Sequence, residues 1–238
     1  MTAIHGLLFD KDGTLFDFRT TWGGWTRRLV VELAQGEAAR VAALSGALGY
    51  DLDTGDFTAD SPVIAHTTAE IRDLILPHLP ETDAARFLDR MNQLAAENDM
   101  IEAVPLVPLF TGFARAGLKI GLATNDAEAP ARAHLQRAGI EDLFDFVSGF
   151  DSGWGGKPET GQMQAFLRQT GLRPEAVAMV GDSLHDLDAG RAAGMRTVAV
   201  LTGVAPAGVL APHADVVLAD IGELPGWIAC QGKPSSKS

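Results

Sequence analysis

Two carboxylates one residue apart, Asp10 and Asp12, end a short apolar run (IHGLLF, 4–9) and are followed at once by Gly13. Side chains at i and i+2 of an extended segment point to one side, so the pair can address a single bound object. Gly13 permits the sharp exit turn that a side chain would obstruct. Three later stretches carry similar groups: Thr124-Asn125-Asp126, then Lys157-Pro158, then Gly181-Asp182-Ser183 with Asp186 four residues after Asp182. Carboxylates, a hydroxyl, an amide and an ammonium are the groups that hold ions and move protons.

Each cluster follows a segment able to position it. Apolar runs recur at 4–9, 118–124 (LKIGLAT), 176–180 (AVAMV), 196–201 (RTVAVL) and 215–219 (DVVLA), each suited to a strand buried on both faces. Between them EAPARAHLQRAG, PETGQMQAFLRQTG and SLHDLDAGRAAG have helical character and end at Gly139, Gly171 and Gly194, placed to cap helices. Lys157-Pro158 is expected to open the second of these, with proline in the first turn. The alternation predicts an α/β fold, a doubly wound parallel sheet with a Rossmann-like core. In such sheets ligands bind beyond the carboxyl ends of the strands, where all these residues fall.

Residues 18–103 break the rhythm. Trp22, Trp25, Leu29 and Leu33 follow helical spacing, as do Val41, Leu44 and Leu48, then Ile71, Leu74 and Ile75, then Phe87, Met91 and Leu94. Four amphipathic helices without a strand read as an α-helical cap inserted after the first strand. The expected division is therefore a core of 1–17 and 104–238 and a cap of 18–103.

The chain has 238 residues, 46% hydrophobic and 21% charged, with no apolar run near the roughly 20 residues that cross a bilayer. Its start lacks a basic region and a long apolar stretch, and the single cysteine, Cys230, allows no intrachain disulfide. Both features make a reducing cytoplasm the expected compartment. Thirty-one acidic against 19 basic residues give a net charge of -12, which disfavours nucleic acid and anionic membranes as partners. The same field repels a small anion, so a phosphate site here needs lysine, backbone N–H groups or a divalent metal nearby. The polar end QGKPSSKS reads as a disordered tail.

Other readings of these residues compete. A lone Asp or Thr after a strand is commonly a helix N-cap, and Asp182 or Ser183 could do only that. A calcium loop starting at Asp10 or Asp51 would need glycine where Leu15 and Asp56 stand. GWGGKP lacks the first glycine of a phosphate-binding GxxxxGK[ST] loop, and Pro158 takes the hydroxyl position. The histidines at 5, 66, 78, 134, 185 and 213 show no metal-ligand spacing; each reads as surface or core, with His185, beside Asp186, the one to watch.

DKDGTLF, LATND, GGKPE and VGDSLHDLDAG, in that order, resemble the four motifs of the haloacid dehalogenase superfamily, and the inserted helices are similar to the cap of its phosphoglycolate-phosphatase-like group. The resemblance implies a phosphatase of a small phosphorylated metabolite. Asp10 would be the nucleophile forming an aspartyl phosphate and Asp12 the acid and base. Mg²⁺ would be held by Asp10, Asp182 and the backbone carbonyl of Asp12. Asp186 would support the metal or Lys157 from behind, Thr124 and the Asn125 amide would hold phosphate oxygens, and Lys157 would offset charge. Phosphoryl transfer asks mainly for alignment and charge neutralisation, which this set can supply.

Lys11 departs from the commoner apolar residue and is similar to the DKTGT of cation-pumping ATPases; the lack of membrane spans excludes a pump. Halide departure would need no proton donor, so Asp12 argues against dehalogenation. By alternation Lys11 is expected on the opposite side, away from substrate. A phosphomutase of the same fold and a phospho-acceptor signalling module are the alternatives, the latter lacking a helical insert. Arg19, Trp22, Trp25 and residues 61–67 (SPVIAHT) are candidates for contact with substrate, although the helical spacing of the two tryptophans favours cap core for them. Phosphoglycolate is the first candidate substrate, by resemblance alone.

Overall fold

β1 (Gly6–Phe9) forms from the first apolar run, and all four of its residues are buried. The structure, a computed structural model, describes residues 2–58 and 60–231. The chain next enters α1 (Phe18–Ala34), α2 (Ala38–Leu48), α3 (Pro62–Ala65), α4 (Thr68–Ile75) and α5 (Ala84–Ala96). Capping starts several of these: Asp17 accepts from the Thr20 amide, Asp83 accepts from Ala85 and Arg86, and Thr67 and Glu70 form a reciprocal capping box.

After α6 (Leu106–Arg115) strands and helices alternate: β2 (Lys119–Ala123), α7 (Glu128–Arg137), β3 (Phe146–Ser148), α8 (Gly161–Thr170), β4 (Val177–Gly181), α9 (Leu184–Ala192), β5 (Arg196–Val200), α10 (Ala207–Leu210), β6 (Val216–Leu218) and α11 (Leu224–Gln231). The six strands form one sheet in the order β3-β2-β1-β4-β5-β6, every pair parallel. This is the doubly wound arrangement, with β1 at the centre where the winding reverses.

The alternation along β1 serves both faces. Leu7 and Phe9 join Phe110 and Phe113 of α6 and Leu135 of α7, while Leu8 joins Met163 and Phe166 of α8 and Ala189 of α9. The inserted helices own a separate core, including Phe18, Trp25, Leu44, Leu48, Ile75 and Met91. Where this block leaves and rejoins the sheet the two connections run side by side: Asp17 N–H donates to Ile101 O at 2.8 Å and Ala103 N–H to Leu15 O at 2.9 Å. Among the described residues no helix is long and apolar enough to cross a membrane.

Two expectations change or fall outside the description, and β3 and the short α3, a fifth helix in the insert, were not anticipated. Lys157-Pro158 does not open α8, which begins at Gly161. The side chain of Asn125 holds both the Lys157 amide (2.7 Å) and its carbonyl (2.9 Å), which keeps those groups out of a helical ladder. Lys157-Pro158 is instead a cis bond in a turn. β3 went unread in the sequence; three residues paired only to β2 carry too little pattern. Residues 232–238 of the expected tail lie outside the described residues, and Cys230 just before them is exposed.

Candidate active site

The Asp10 amide continues the β1 ladder to Val180 O (2.8 Å), so the side chain leaves the sheet at its carboxyl edge, between β2 and β4. Thr124 follows β2, and Asp182 follows β4. Lys157 arrives from the turn before α8, and its Nζ donates to Asp10 Oδ1 at 2.5 Å and Asp186 Oδ1 at 2.6 Å, all three side chains being at least nine-tenths buried. Asp186 also closes a capping box at the start of α9, its other oxygen accepting from the Ser183 amide (3.0 Å) and hydroxyl (2.7 Å). Ser183 is thus the N-cap, while Asp186 serves both the helix and the lysine.

Carboxylate oxygens of Asp10, Asp182 and Asp186 all lie within 4.8 Å of one another. Burial, then repulsion from Asp10 and Asp186, raises the Asp182 carboxyl well above its ordinary range. Burial also pushes Asp10 up to about 7, against the pull of Lys157. Burial alone would lower Lys157, but Asp10 and Asp186 outweigh it and raise its ammonium. Three hard oxygen donors crowded in a buried hollow, with one ammonium between them, fit a small divalent cation such as Mg²⁺. The Asp12 side chain is not in this group. Of the expected metal set, the carboxylates of Asp10 and Asp182 meet here with Asp186.

Two glycines leave room for Asp182. A Cβ at Gly13, where φ is +77°, would sit 2.4 Å from Oδ2, and one at Gly203 would sit 1.7 Å from it. Gly203→Ala is therefore expected to displace the carboxylate and weaken divalent-cation affinity by about 10- to 100-fold, the usual cost of disturbing a ligand's support. Calorimetric titration with Mg²⁺ checks this; unchanged affinity would remove Asp182 from the cation site.

Asp12 lines the same cavity, but its carboxylate is held by partners outside the cation cluster. Its Oδ1 accepts from Trp22 Nε1 (2.6 Å) and Lys11 Nζ (2.9 Å), and its Oδ2 pairs with Lys11 at 2.8 Å. The opposite-side placement of Lys11 is thereby corrected: β1 ends at Phe9, and residues past Asp10 turn, so period-two alternation no longer applies. Lys11 is fully buried and also meets Asp126 Oδ2 at 3.3 Å and His134 Nδ1 at 3.2 Å. His134 Nε2 lies 2.8 Å from Ala95 O of α5, and a carbonyl only accepts, so Nε2 carries the hydrogen and Nδ1 accepts from Lys11. Burial, then Lys11, holds His134 down at about 2, neutral as that tautomer requires. For Lys11, Asp12 and Asp126 outweigh burial and raise the ammonium. Asp126 in turn is raised by burial and contacted by Thr68 Oγ1 of α4 at 3.4 Å.

What the sequence reading missed is that Lys11, Asp126 and His134 meet in one buried cluster. A lysine flanked by aspartates in a buried strand exit was a usable signal, since a buried cation needs partners; His134, 123 residues away, left none. Thr124 and Asn125 line the cavity with Asp10, Asp12 and Lys157. The Thr124 hydroxyl accepts from the Asp126 amide (3.0 Å), and its carbonyl accepts from Gln162 Nε2 (2.9 Å). Of the cap candidates, Trp22, Trp25, Val63, Ile64 and His66 reach the cavity, so the tryptophans are both cap core and lining. Arg19 does not: it pairs with Asp56 at 2.6 Å on the exposed surface.

Comparison with known proteins follows the same motifs. The family of haloacid dehalogenase-like hydrolases matches residues 4–194. The chain is 30% identical over 242 residues to a phosphoglycolate phosphatase of Yersinia pestis, covering 99% of this chain and 96% of the relative. It is 32% identical over 120 residues to that of Rhodospirillum rubrum, a match spanning 50% of each chain. The crystal structure of a predicted phosphoglycolate phosphatase from Haemophilus somnus superposes with a TM-score of 0.70 at 18% identity, over 95% of this chain and 99% of that one. That last likeness is one of fold.

Proposed function

The chain belongs to the haloacid dehalogenase-like hydrolases, in their phosphoglycolate-phosphatase-like group, and from this premise we propose that it hydrolyses a small phosphate monoester through a phosphoryl group carried on Asp10. The observation that supports this most is the buried Asp10–Lys157–Asp186 bridge, set beside Asp182 at the sheet edge. A divalent ion, Mg²⁺ by its preference for oxygen, would be held by Asp10, Asp182 and the backbone carbonyl of Asp12, and would offset the phosphate's charge.

The chain's own residues do the rest. Lys157 holds Oδ1 of Asp10, which fixes the carboxylate and leaves its other oxygen to attack phosphorus. As the bond from phosphorus to the ester oxygen breaks, Asp12 gives that oxygen a proton. Asp12 then takes a proton from water, the water oxygen attacks phosphorus, and the Asp10 carboxylate and inorganic phosphate are released. Thr124, the Asn125 amide and Lys157 hold the phosphate oxygens, and Asp186 keeps Lys157 in place. Residues 18–103 act as the cap that shields the step from bulk water, in a cytoplasmic enzyme.

The test counts phosphate. Metal-stripped protein given a generic aryl phosphate should release many equivalents per chain only after Mg²⁺ is added. A single equivalent retained on the protein would indicate a phospho-acceptor module instead. Phosphate passed to a sugar without release would indicate a mutase.

A further inference from the structure

The wall facing the phosphate site is supplied by the helical insert and is mainly apolar: Trp22, Trp25, Val63, Ile64, Ile71 and Ala95 line it, with His66 and Thr68 beside them. Among the described residues that line the cavity, Lys157 is the one Lys or Arg side chain, and Asp10 and Asp186 already hold it. Nearby arginines of the insert are engaged elsewhere: Arg19 with Asp56, Arg72 with Asp73, Arg28 with Asn98. His66 and His185 also reach the cavity, and both have Glu70 as an electrostatic neighbour. The remaining charges near the lining, Asp12 and Asp126, are negative and share Lys11.

A second anionic group on the substrate would therefore meet mainly tryptophan and aliphatic side chains on one side and carboxylates on the other, with the imidazoles of His66 and His185 and no Lys or Arg besides Lys157 among the described lining residues. Burying a charge without a partner is expensive, whereas apolar surface enters such a wall favourably. One polar feature stands out in it. The indole N–H of Trp25, a residue only 3% exposed, has no hydrogen-bond partner. A buried donor left unmade costs free energy until a ligand supplies an acceptor.

Resting on the phosphatase reading above, we propose that the leaving alcohol of the substrate is uncharged and largely apolar, carrying a neutral acceptor oxygen for Trp25 Nε1, and that phosphate esters of hydroxy acids such as phosphoglycolate are discriminated against. Trp22 and Trp25, edge to face with centroids 5.1 Å apart, form the surface on which that alcohol packs.

Three aryl phosphates that differ only at the meta position, bearing hydrogen, a carboxamide or a carboxylate, separate the contributions. The carboxylate ester should show a kcat/KM about 10- to 100-fold below the carboxamide, the cost expected for an unpaired buried charge. Trp25→Phe should lower kcat/KM about fivefold more for the carboxamide ester than for the unsubstituted one, the difference expected for loss of one neutral hydrogen bond beyond the lost packing that both esters share. The same three ligands are titrated into Asp10→Asn by quenching of tryptophan fluorescence, so the ranking is obtained even without turnover. A carboxylate ester, or phosphoglycolate, that matches or exceeds the neutral esters in both assays overturns the proposal while leaving the phosphatase reading intact. Equal losses on both neutral esters in Trp25→Phe overturn the role of its N–H. Absence of turnover with all esters defeats the phosphatase reading instead.

Discussion

Asp10→Asn is expected to lower kcat by about 10⁴-fold or more, because the attacking oxygen is replaced by an amide that cannot form the phosphoryl intermediate. The substitution is nearly isosteric, and Asn retains an oxygen to accept from Lys157, which bonds Asp10 Oδ1 in the native protein. Burial already pushes the native carboxyl up to about 7, so an uncharged group suits the position. The variant should therefore fold normally, with a melting temperature in the metal-free state no lower than that of the native chain. Loss of turnover with an unchanged melting curve is the expected pair of results. Substantial activity in this variant would end the covalent mechanism.

Lys157→Ala should act on both catalysis and stability. Deleting one preorganised cationic donor costs about 3 to 4 kcal/mol of transition-state stabilisation, roughly 10²- to 10³-fold in kcat. Breaking a buried ion pair by removing one partner costs about 3 to 5 kcal/mol in folding, and here two carboxylates, Asp10 and Asp186, lose the same ammonium. The pH dependence separates charge from packing. The Asp10 pKa lies above its unfolded value, so the stability it contributes is present in its protonated form and lost as pH rises through about 7. Without Lys157, which pulls that pKa down, the loss is larger and the variant suffers most above neutrality. Thermal melts at about pH 5 and pH 8 should show the gap between variant and native chain narrowing at the lower pH. A gap independent of pH would reduce Lys157 to a packing role.

The sheet was legible because parallel strands buried on both faces leave continuous apolar runs, and Gly139, Gly171 and Gly194, each with positive φ, mark where helices stop. The insert was legible through its 3.6-residue period, which puts Trp25, Leu29, Leu44, Leu48, Ile71, Ile75, Phe87 and Met91 in one core. Asp10, Thr124 and Asp182 could be named because each directly follows a strand, so order along the chain translates into a common edge, whereas Lys157 and Asp186 reach it from a turn and a helix and were named by motif. Side-chain direction beyond the strand end could not be read this way. Lys11 was assigned by an alternation that stops at Phe9, and its partners Asp126 and His134 belong to other elements. The start of α8 was misplaced for a similar reason, since the amide of Asn125 captures the Lys157 backbone from 32 residues away.

The Asp12 carboxylate is tied to three separate helices of the insert: directly by Trp22 of α1 and, by way of the Lys11 ammonium, through His134 to the Ala95 carbonyl of α5 and through Asp126 to Thr68 of α4. The insert cannot lift from the sheet without surrendering all three at once. If Asp12 carries the proton as proposed, seating of the insert and aiming of that carboxylate are one interlocked event. On the mechanism proposed above, an insert lifted from the sheet would leave that acid without the partners that steer it, so water could be split only with the insert in place.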